Sequence, residues 1–200
     1  MVSKHNYVKY WNNLPFNLHI GSMFFIMKLY RVWAMPNKET FTIKPIKKLL
    51  ERYVGNGKGW IDPFAGNNSP AEYTNDLNPD CKTTAHYDAI SFVGALDNNF
   101  QKNGCLFDPP YSLRQLKECY ENIDRKMTFD ESQDASFSKL KDAIAPKICV
   151  GGYVISFGWS SGGFGKNRGF EIIEILLVPH GGHHNDTIVT VEKKTQGTLE

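Results

Sequence analysis

The apolar positions of this chain form a succession of short runs and helically spaced series. Runs rich in valine, isoleucine and aromatic residues predict strands, whereas apolar residues three or four positions apart predict helices. The last two runs flank a polar loop and predict a β-hairpin of 170–178 with 187–192. The other predicted strands are 28–35, 60–64, 71–75, 83–87, 105–108 and 153–157, and the predicted helices are 40–54, 88–100, 112–123 and 137–148, the last ended by Gly151-Gly152.

The strand at 105–108 runs into Asp108-Pro109-Pro110-Tyr111. Neither proline has an N–H for a sheet ladder, so the strand stops there, and Asp108 and Tyr111 lie at its carboxyl end, where open α/β sheets bind ligands. Asp108 and the Pro109 carbonyl are two acceptors suited to one exocyclic amino group. Tyr111 offers a flat face for stacking a base, worth about 1–3 kcal/mol. The alternative is a plain turn with an exposed acid.

The strand at 60–64 ends in a second turn, Asp62-Pro63-Phe64-Ala65-Gly66. Asn67-Asn68 follow, and asparagine tolerates a positive φ better than most residues, so we expect the turn to persist. A parallel crossover normally takes a dozen or more residues with a helix. Residues 67–70 leave no room for one, which predicts a bare loop or a rearranged sheet edge.

Two more acids follow predicted strands, Asp76 and Asp88. An acid in the place of Asp76 accepts hydrogen bonds from ribose hydroxyls in nucleotide-binding α/β folds, and the alternative is an Asx turn before Pro79. Asp88 precedes an apolar-periodic run, so it is also a helix N-cap. Both roles of Asp88 are compatible.

Candidate nucleic-acid contacts lie on the helix after Tyr111 and on the loop at 158–169. Arg114 and Lys117 are near the same sheet edge. The loop combines glycines with Trp159, Lys166 and Arg168, which suits a flexible nucleic-acid contact. The alternative, a glycine-rich linker, does not explain the tryptophan.

Composition narrows these interpretations. Apolar residues make up 41% of the chain and charged residues 22%, which is typical of a globular protein. The net charge is only +2, so the basic residues must gather on one face if the protein binds nucleic acid. The four cysteines show no C-x-x-C pair, as expected for reduced thiols in a cytoplasmic protein. No stretch is long enough to span a membrane. The histidines of the loop at 179–186 favour a solvated turn over a zinc site, because the loop offers no rigid framework.

In this order the motifs resemble those of the S-adenosylmethionine-dependent DNA adenine-N6 amino-methyltransferases, whose motif is Asp/Asn/Ser-Pro-Pro-Tyr/Phe/Trp. The small adenine-specific methyltransferases of phages and prophages are similar in order and size, and the resemblance covers residues 28–193. It implies an α/β, Rossmann-like class I methyltransferase fold, with a mostly parallel sheet, a C-terminal antiparallel hairpin and a first crossover helix that is missing or very short. It further implies one domain at 28–198 without a separate target-recognition domain, after an N-terminal extension or arm at 1–27. Recognition then rests on residues 1–35, a mobile loop at 124–136 and the glycine loop.

The resemblance also implies residue roles. Methyl transfer to adenine N6 is assigned to Asp108, Pro109, Pro110 and Tyr111, with no metal. Duplex DNA is the implied partner, its target base flipped out of the stack and contacted by Arg114, Lys117, Trp159, Lys166 and Arg168. A homodimer or a specificity partner stays open, and the cytoplasm of a bacterium or phage-infected host is the expected location. The residues expected to hold S-adenosylmethionine are Lys44, Pro45, Asp62, Pro63, Phe64, Ala65, Gly66, Asp76, Asp88 and Phe107.

Other functions fit parts of the pattern. Guanine-N2 methyltransferases of ribosomal RNA also use the Asp-Pro-Pro-Tyr motif at a similar length. The short crossover, together with Asn67-Asn68 where the family usually has a second glycine, suits a catalytically inactive, nucleic-acid-binding subunit with this fold. A small-molecule or protein-glutamine methyltransferase fits the modest charge, but the latter usually has Asn in place of Asp108.

Overall fold

The computed structural model describes residues 27–97, 102–121 and 137–197. The N-terminal arm expected at 1–27, except for Met27, and the mobile loop expected at 124–136 lie outside these residues. Among the described residues, no helix is both long and apolar enough to cross a membrane.

A seven-stranded sheet forms the centre of the molecule. Its spatial order is β1-β6-β7-β5-β4-β2-β3, and β7 runs antiparallel to both of its neighbours while all other adjacent pairs are parallel. This confirms the predicted, mostly parallel sheet with a C-terminal antiparallel hairpin. The strands are β1 Lys28–Arg31, β2 Trp60–Asp62, β3 Tyr73–Thr74, β4 Lys102–Phe107, β5 Ile148–Gly158, β6 Phe170–Val178 and β7 Thr187–Lys194.

Helices cover both faces of the sheet because neighbouring residues of each strand point to opposite sides. The helices are α1 Lys44–Tyr53, α2 Ala89–Ala95, α3 Leu113–Glu121 and α4 Ser138–Ile144, with short 3₁₀ turns at Thr40–Thr42, Ala145–Lys147 and Lys166–Arg168. Helix α1 packs against the face that carries Leu106 and Ile155. Helices α2 and α4 pack against the face that carries Cys105 and Val154. The result is a three-layer α/β/α arrangement.

The connection from β2 to β3 contains no helix, as predicted. Gly66 makes the turn with a φ of +54°, and its N–H donates to Asp76 Oδ2 at 3.0 Å. Neither Asn67 nor Asn68 has a positive φ, so the tolerance expected of asparagine is not used. Instead, Asn67 Oδ1 accepts the Lys82 N–H at 2.9 Å and ties the turn to the following segment.

The predicted strand at 83–87 is reduced to one parallel bridge between Ala85 and Asn75. The buried side chain of Asn75 makes hydrogen bonds that replace those of a strand ladder. Its Nδ2 donates to the carbonyls of Pro63 and Tyr87 at 3.1 and 3.0 Å, and its Oδ1 accepts the Tyr87 N–H at 2.9 Å. One amide therefore holds three segments of this sheet edge together.

The predicted helix at 137–148 is too long, and Gly151-Gly152 does not end it. The helix stops at Ile144, and β5 begins at Ile148 after a 3₁₀ turn. Lys102 pairs with Ile148 and Gly104 with Tyr153, so β5 carries extra residues here, and Gly151 accommodates them with a φ of +90°. The glycine pair thus marks a strand irregularity.

Candidate active site

Two adjoining cavities lie at the carboxyl ends of β2, β3, β4 and β5. The larger has a volume of about 860 Å³ and the smaller about 310 Å³. Both volumes are within the range typical of ligand pockets, about 300–1,000 Å³. Pro109, Pro110, Tyr111 and Phe137 line both cavities, so the Asp-Pro-Pro-Tyr turn lies where they meet.

Local hydrogen bonds fix the Asp-Pro-Pro-Tyr turn. The Tyr111 hydroxyl donates to Asp108 Oδ1, and the Tyr111 N–H donates to Gln115 Oε1 at 2.7 Å. Ser112 caps α3, because its Oγ accepts the Gln115 N–H at 3.2 Å. The first turn of α3 therefore orients the residues that follow β4.

Burial determines the protonation states of Asp108 and Tyr111 in this turn. It raises the pKa of Asp108 to about 6, while hydrogen bonds from the Tyr111 and Thr40 side chains act in the opposite direction. Asp108 is therefore mostly ionised at neutral pH and acts as an acceptor. Burial and the Asp108 charge raise the pKa of Tyr111 well above its usual range, so the phenol keeps its proton.

The larger cavity contains Asp108 together with several predicted cofactor residues. Pro63, Phe64, Asp76 and Asp88 line it. Asp76 Oδ2 accepts the Gly66 N–H and Oδ1 accepts the Asn78 N–H at 2.9 Å, which leaves lone pairs for further donors because a carboxylate has about four acceptor sites. Asp88 Oδ1 accepts the Ser91 N–H at 3.0 Å, so it caps α2 while it lines the cavity.

Asp62 does not line either cavity; it is fully buried beneath the turn. Its Oδ1 accepts the Phe64 N–H at 3.0 Å and its Oδ2 accepts the Ser69 hydroxyl at 2.6 Å. Burial raises the pKa of Asp62 to about 7 despite these hydrogen bonds. Ala65 and Gly66 also shape this turn without lining a cavity.

The segment between β1 and β2 lines the larger cavity, but with residues other than those expected. Lys44 and Pro45 start α1 and line neither cavity. Lys38 and Thr40, earlier in the same segment, line the larger cavity. Phe107, expected at the cofactor, lines only the smaller cavity.

Aromatic side chains dominate the smaller cavity. Phe107, Phe137, Phe157 and Trp159 line it beside Tyr111, whose ring meets the Trp159 ring edge-on with centroids 5.7 Å apart. Three polar side chains complete the lining, those of Lys141, Ser156 and Ser160. A cavity of this kind suits a planar ligand with a polar edge.

The glycine loop is anchored to the sheet rather than free. The buried Glu192 carboxylate accepts the N–H groups of Phe164 and Gly165 at 2.6 and 2.9 Å. Lys141 Nζ donates to the Gly163 carbonyl at 3.0 Å. The expectation of a flexible loop therefore does not hold for residues 163–165.

The predicted nucleic-acid residues divide by environment. Arg168 donates to Asp142 Oδ1 at 2.7 Å, to the Phe164 carbonyl at 2.9 Å and to Ser138 Oγ at 2.9 Å, so it joins the glycine loop to α4. Lys166 is exposed. On α3, Arg114 pairs with Glu118 at 2.8 Å and Lys117 with Glu121 at 3.5 Å, both at exposed positions. Trp159, 44% exposed, is the predicted nucleic-acid residue that lines a cavity.

Sequence reasoning missed several cavity residues. Gln115, Lys141 and Ser156 stand in segments without a motif, and Thr40 precedes the Lys44-Pro45 pair that was expected at the cofactor, so the role of each depends on which elements meet in space. Asn75 had a local signal, since it directly precedes Asp76. One loop histidine is also structural: His180 is buried and contacts the Ala34 carbonyl at 2.9 Å and Thr187 Oγ1 at 2.8 Å. In the described part of the chain, no group of three His, Cys, Asp or Glu side chains is arranged to hold a metal ion.

Comparison with known proteins identifies the class of fold. No family model and no curated protein matches the sequence. TrmN from Thermus thermophilus is similar in structure, with a TM-score of 0.51 and 16% identity over 76% of this chain, which spans about half (49%) of the TrmN chain. The 1,6-didemethyltoxoflavin-N1-methyltransferase of Burkholderia thailandensis has a TM-score of 0.50 and 13% identity, covering 76% of this chain and 78% of its own. Together with the strand order, these similarities show that the chain has the class I methyltransferase fold.

Proposed function

We propose that this protein transfers a methyl group from S-adenosylmethionine to the N6 amino group of adenine in duplex DNA. The observation that carries the proposal is the Asp-Pro-Pro-Tyr turn at the junction of two cavities, with the Asp108 carboxylate in the larger cavity and aromatic rings around the smaller one. The first cavity has the size and charge for the cofactor, and the second has the shape for a flipped base.

The residues of the larger cavity fit S-adenosylmethionine. Asp76 has spare acceptor sites for ribose hydroxyls. The carboxylates of the lining, those of Asp76, Asp88, Asp108 and Glu118, outnumber its ammonium groups, those of Lys38 and Lys139, and this balance favours a cationic ligand. Phe64 adds an apolar surface. The structure of the Burkholderia thailandensis enzyme holds S-adenosylhomocysteine and a heterocyclic substrate. By its fold, this chain offers the same kind of sheet edge.

In the proposed mechanism, the target base stacks on Tyr111 within the smaller cavity. The Tyr111 hydroxyl releases Asp108 Oδ1, which then accepts one amino hydrogen while the Pro109 carbonyl accepts the other. Bound S-adenosylmethionine supplies a methyl group on a positively charged sulfur, so the protein contributes mainly position and charge. The carboxylate of Asp108 takes the proton that the amino nitrogen loses. Once the Tyr111 hydroxyl donates to it again, its pKa of about 6 lets it return the proton to water at neutral pH.

Methyl transfer with labelled S-adenosylmethionine tests this proposal. Unmethylated duplex DNA and total RNA are incubated with the protein, digested to nucleosides and analysed by mass. We expect N6-methyladenine in DNA. Label in RNA guanine would contradict the proposed substrate, and absence of both label and cofactor binding would point to a non-catalytic subunit.

A variant pair tests the role of Asp108. Asp108→Ala is expected to abolish transfer while the affinity for S-adenosylhomocysteine, measured by calorimetry, stays within a few-fold. Asp80→Ala, which removes an exposed acid outside both cavities, is the matched control and keeps full activity. Equal loss of transfer and cofactor affinity in Asp108→Ala would contradict the assigned role.

A further inference from the structure

Ser156 has a buried hydroxyl that the fold does not use. It lies on β5, beside Phe107 of β4, and is 6% exposed. It belongs to the lining of the smaller cavity, yet its Oγ has no hydrogen-bond partner among the described residues. A buried hydroxyl without a partner destabilises a fold, so its presence at a cavity calls for a partner from outside the chain.

Thr190 provides an internal comparison. It pairs with Ser156 across β5 and β7, and its hydroxyl is likewise buried without a partner among the residues described. Thr190 lines neither cavity. Two buried hydroxyls with the same chemistry therefore differ in one respect: Ser156 belongs to the lining of the smaller cavity, and Thr190 lines neither cavity.

The other side chains that line the smaller cavity offer no rigidly held hydrogen-bonding group to the polar edge of a planar ligand. The rings of Tyr111 and Trp159 offer faces and edges for stacking. Lys141 already donates to the Gly163 carbonyl, and Ser160 is exposed on the loop. Ser156 stands on a central strand, and its hydroxyl both donates and accepts, turning about a single bond between staggered positions.

We infer that the Ser156 hydroxyl donates a hydrogen bond to a ring nitrogen of the base in the smaller cavity and thereby positions the amino group at Asp108. This inference rests on the proposed function. Asp108 and Pro109 hold the amino group at one end, and Ser156 holds the ring at another. Two contacts on a stacked base fix its rotation in the plane, which stacking on Tyr111 alone leaves free.

Nucleoside binding tests the contact without knowledge of the DNA sequence that is recognised. The probes are 2′-deoxyadenosine and its 1-deaza, 3-deaza and 7-deaza analogues, titrated by NMR in the presence of S-adenosylhomocysteine. For the wild-type protein, we expect one analogue to bind about 2- to 12-fold more weakly than 2′-deoxyadenosine, the effect of one neutral hydrogen bond. Ser156→Ala should bind 2′-deoxyadenosine more weakly by the same factor and no longer distinguish that analogue.

Thr190→Val is the matched control, since it removes the neighbouring unpartnered hydroxyl and should bind all four nucleosides as the wild type does. Equal affinities of wild type and Ser156→Ala for 2′-deoxyadenosine would overturn the inference, as would an equal loss in Thr190→Val. Methyl transfer to DNA separates this failure from that of the proposed function. If the wild type forms N6-methyladenine and Ser156→Ala behaves like Thr190→Val, the contact is refuted while the activity stands.

Discussion

Substitution of Gly163 by alanine tests how the glycine loop is held. A Cβ at this position would lie 2.0 Å from Glu192 Oε2 and 2.3 Å from its Cδ, so the Glu192 carboxylate must move. That carboxylate is fully buried and accepts the N–H groups of Phe164 and Gly165 at 2.6 and 2.9 Å. One added methyl group therefore displaces the carboxylate that accepts these two N–H groups of the loop.

The size of the effect follows from the lost bonds. Hydrogen bonds to a charged group contribute about 1.5–3 kcal/mol each, so losing both lowers the free energy of unfolding by about 3–6 kcal/mol, and by about half if one survives. Burial already raises the pKa of Glu192, and the two N–H groups oppose that rise. Without them we expect the pKa of the Glu192 carboxyl group to rise further. Methyl transfer should fall as well, because the same loop carries Trp159 into the smaller cavity.

Urea denaturation compares Gly163→Ala with Gly162→Ala. A Cβ at Gly162 meets only Ser160 Oγ, at 3.5 Å, which is an ordinary contact. Neither glycine has a positive φ, so alanine introduces no backbone strain at either position. We expect wild-type stability for Gly162→Ala and the full loss for Gly163→Ala. Equal midpoints for the two variants would refute the conclusion that Glu192 anchors the loop.

Three further outcomes are expected. The kcat/KM of methyl transfer, which reports groups of the free enzyme, should fall as the pH drops through about 6, where Asp108 becomes protonated, and Tyr111→Phe should shift this limb to higher pH because it removes a hydrogen bond that lowers the Asp108 pKa; an unshifted limb in the pH profile of kcat/KM would count against Asp108 as the acceptor. Asp76→Ala should weaken S-adenosylhomocysteine binding about 10- to 100-fold by calorimetry, the effect of one hydrogen bond to a charged group, whereas Asp80→Ala should not. The folded-state pKa of Asp62, about 7, lies above its unfolded value, so its contribution to stability is full below about pH 4 and is lost as the pH rises to 7. Denaturation of Asp62→Asn at pH 4 and 7 should lack this loss, which amounts to at most about 4 kcal/mol in the wild type.

The residues at the carboxyl edge of the sheet were predictable from sequence, because neighbouring residues in the chain mark where each strand ends. An acid or a proline directly after an apolar run marks the end of a strand, and parallel strands end at the same edge. Asp76, Asp88 and Asp108 were therefore expected together, and all three line the larger cavity. The missing crossover helix followed from chain length alone, since residues 67–70 are too few to form one.

The partners of individual side chains were not predictable, because they depend on residues distant in sequence. Asp62 has the same strand-end position as Asp108, but it is fully buried beneath the turn, where Ser69 and the Phe64 N–H donate to its oxygens. Arg168 and Lys166 are both basic residues of the glycine loop, yet Arg168 pairs with Asp142 whereas Lys166 is exposed. A sequence shows which residues have suitable chemistry, whereas packing decides which of them are already paired.

The short connection after β2 also bears on the kind of ligand that this edge accepts. In dinucleotide-binding folds, the turn after the first strand leads into a helix whose N-terminal N–H groups bind a pyrophosphate. Here that helix is absent, and the turn N–H groups of Phe64 and Gly66 donate to Asp62 and Asp76 instead. The donors that would hold a phosphate are therefore occupied, and carboxylates stand in their place. Such an edge disfavours a nucleotide phosphate and favours a cationic ligand, which is the physical basis for choosing a sulfonium methyl donor over a dinucleotide in the proposed function.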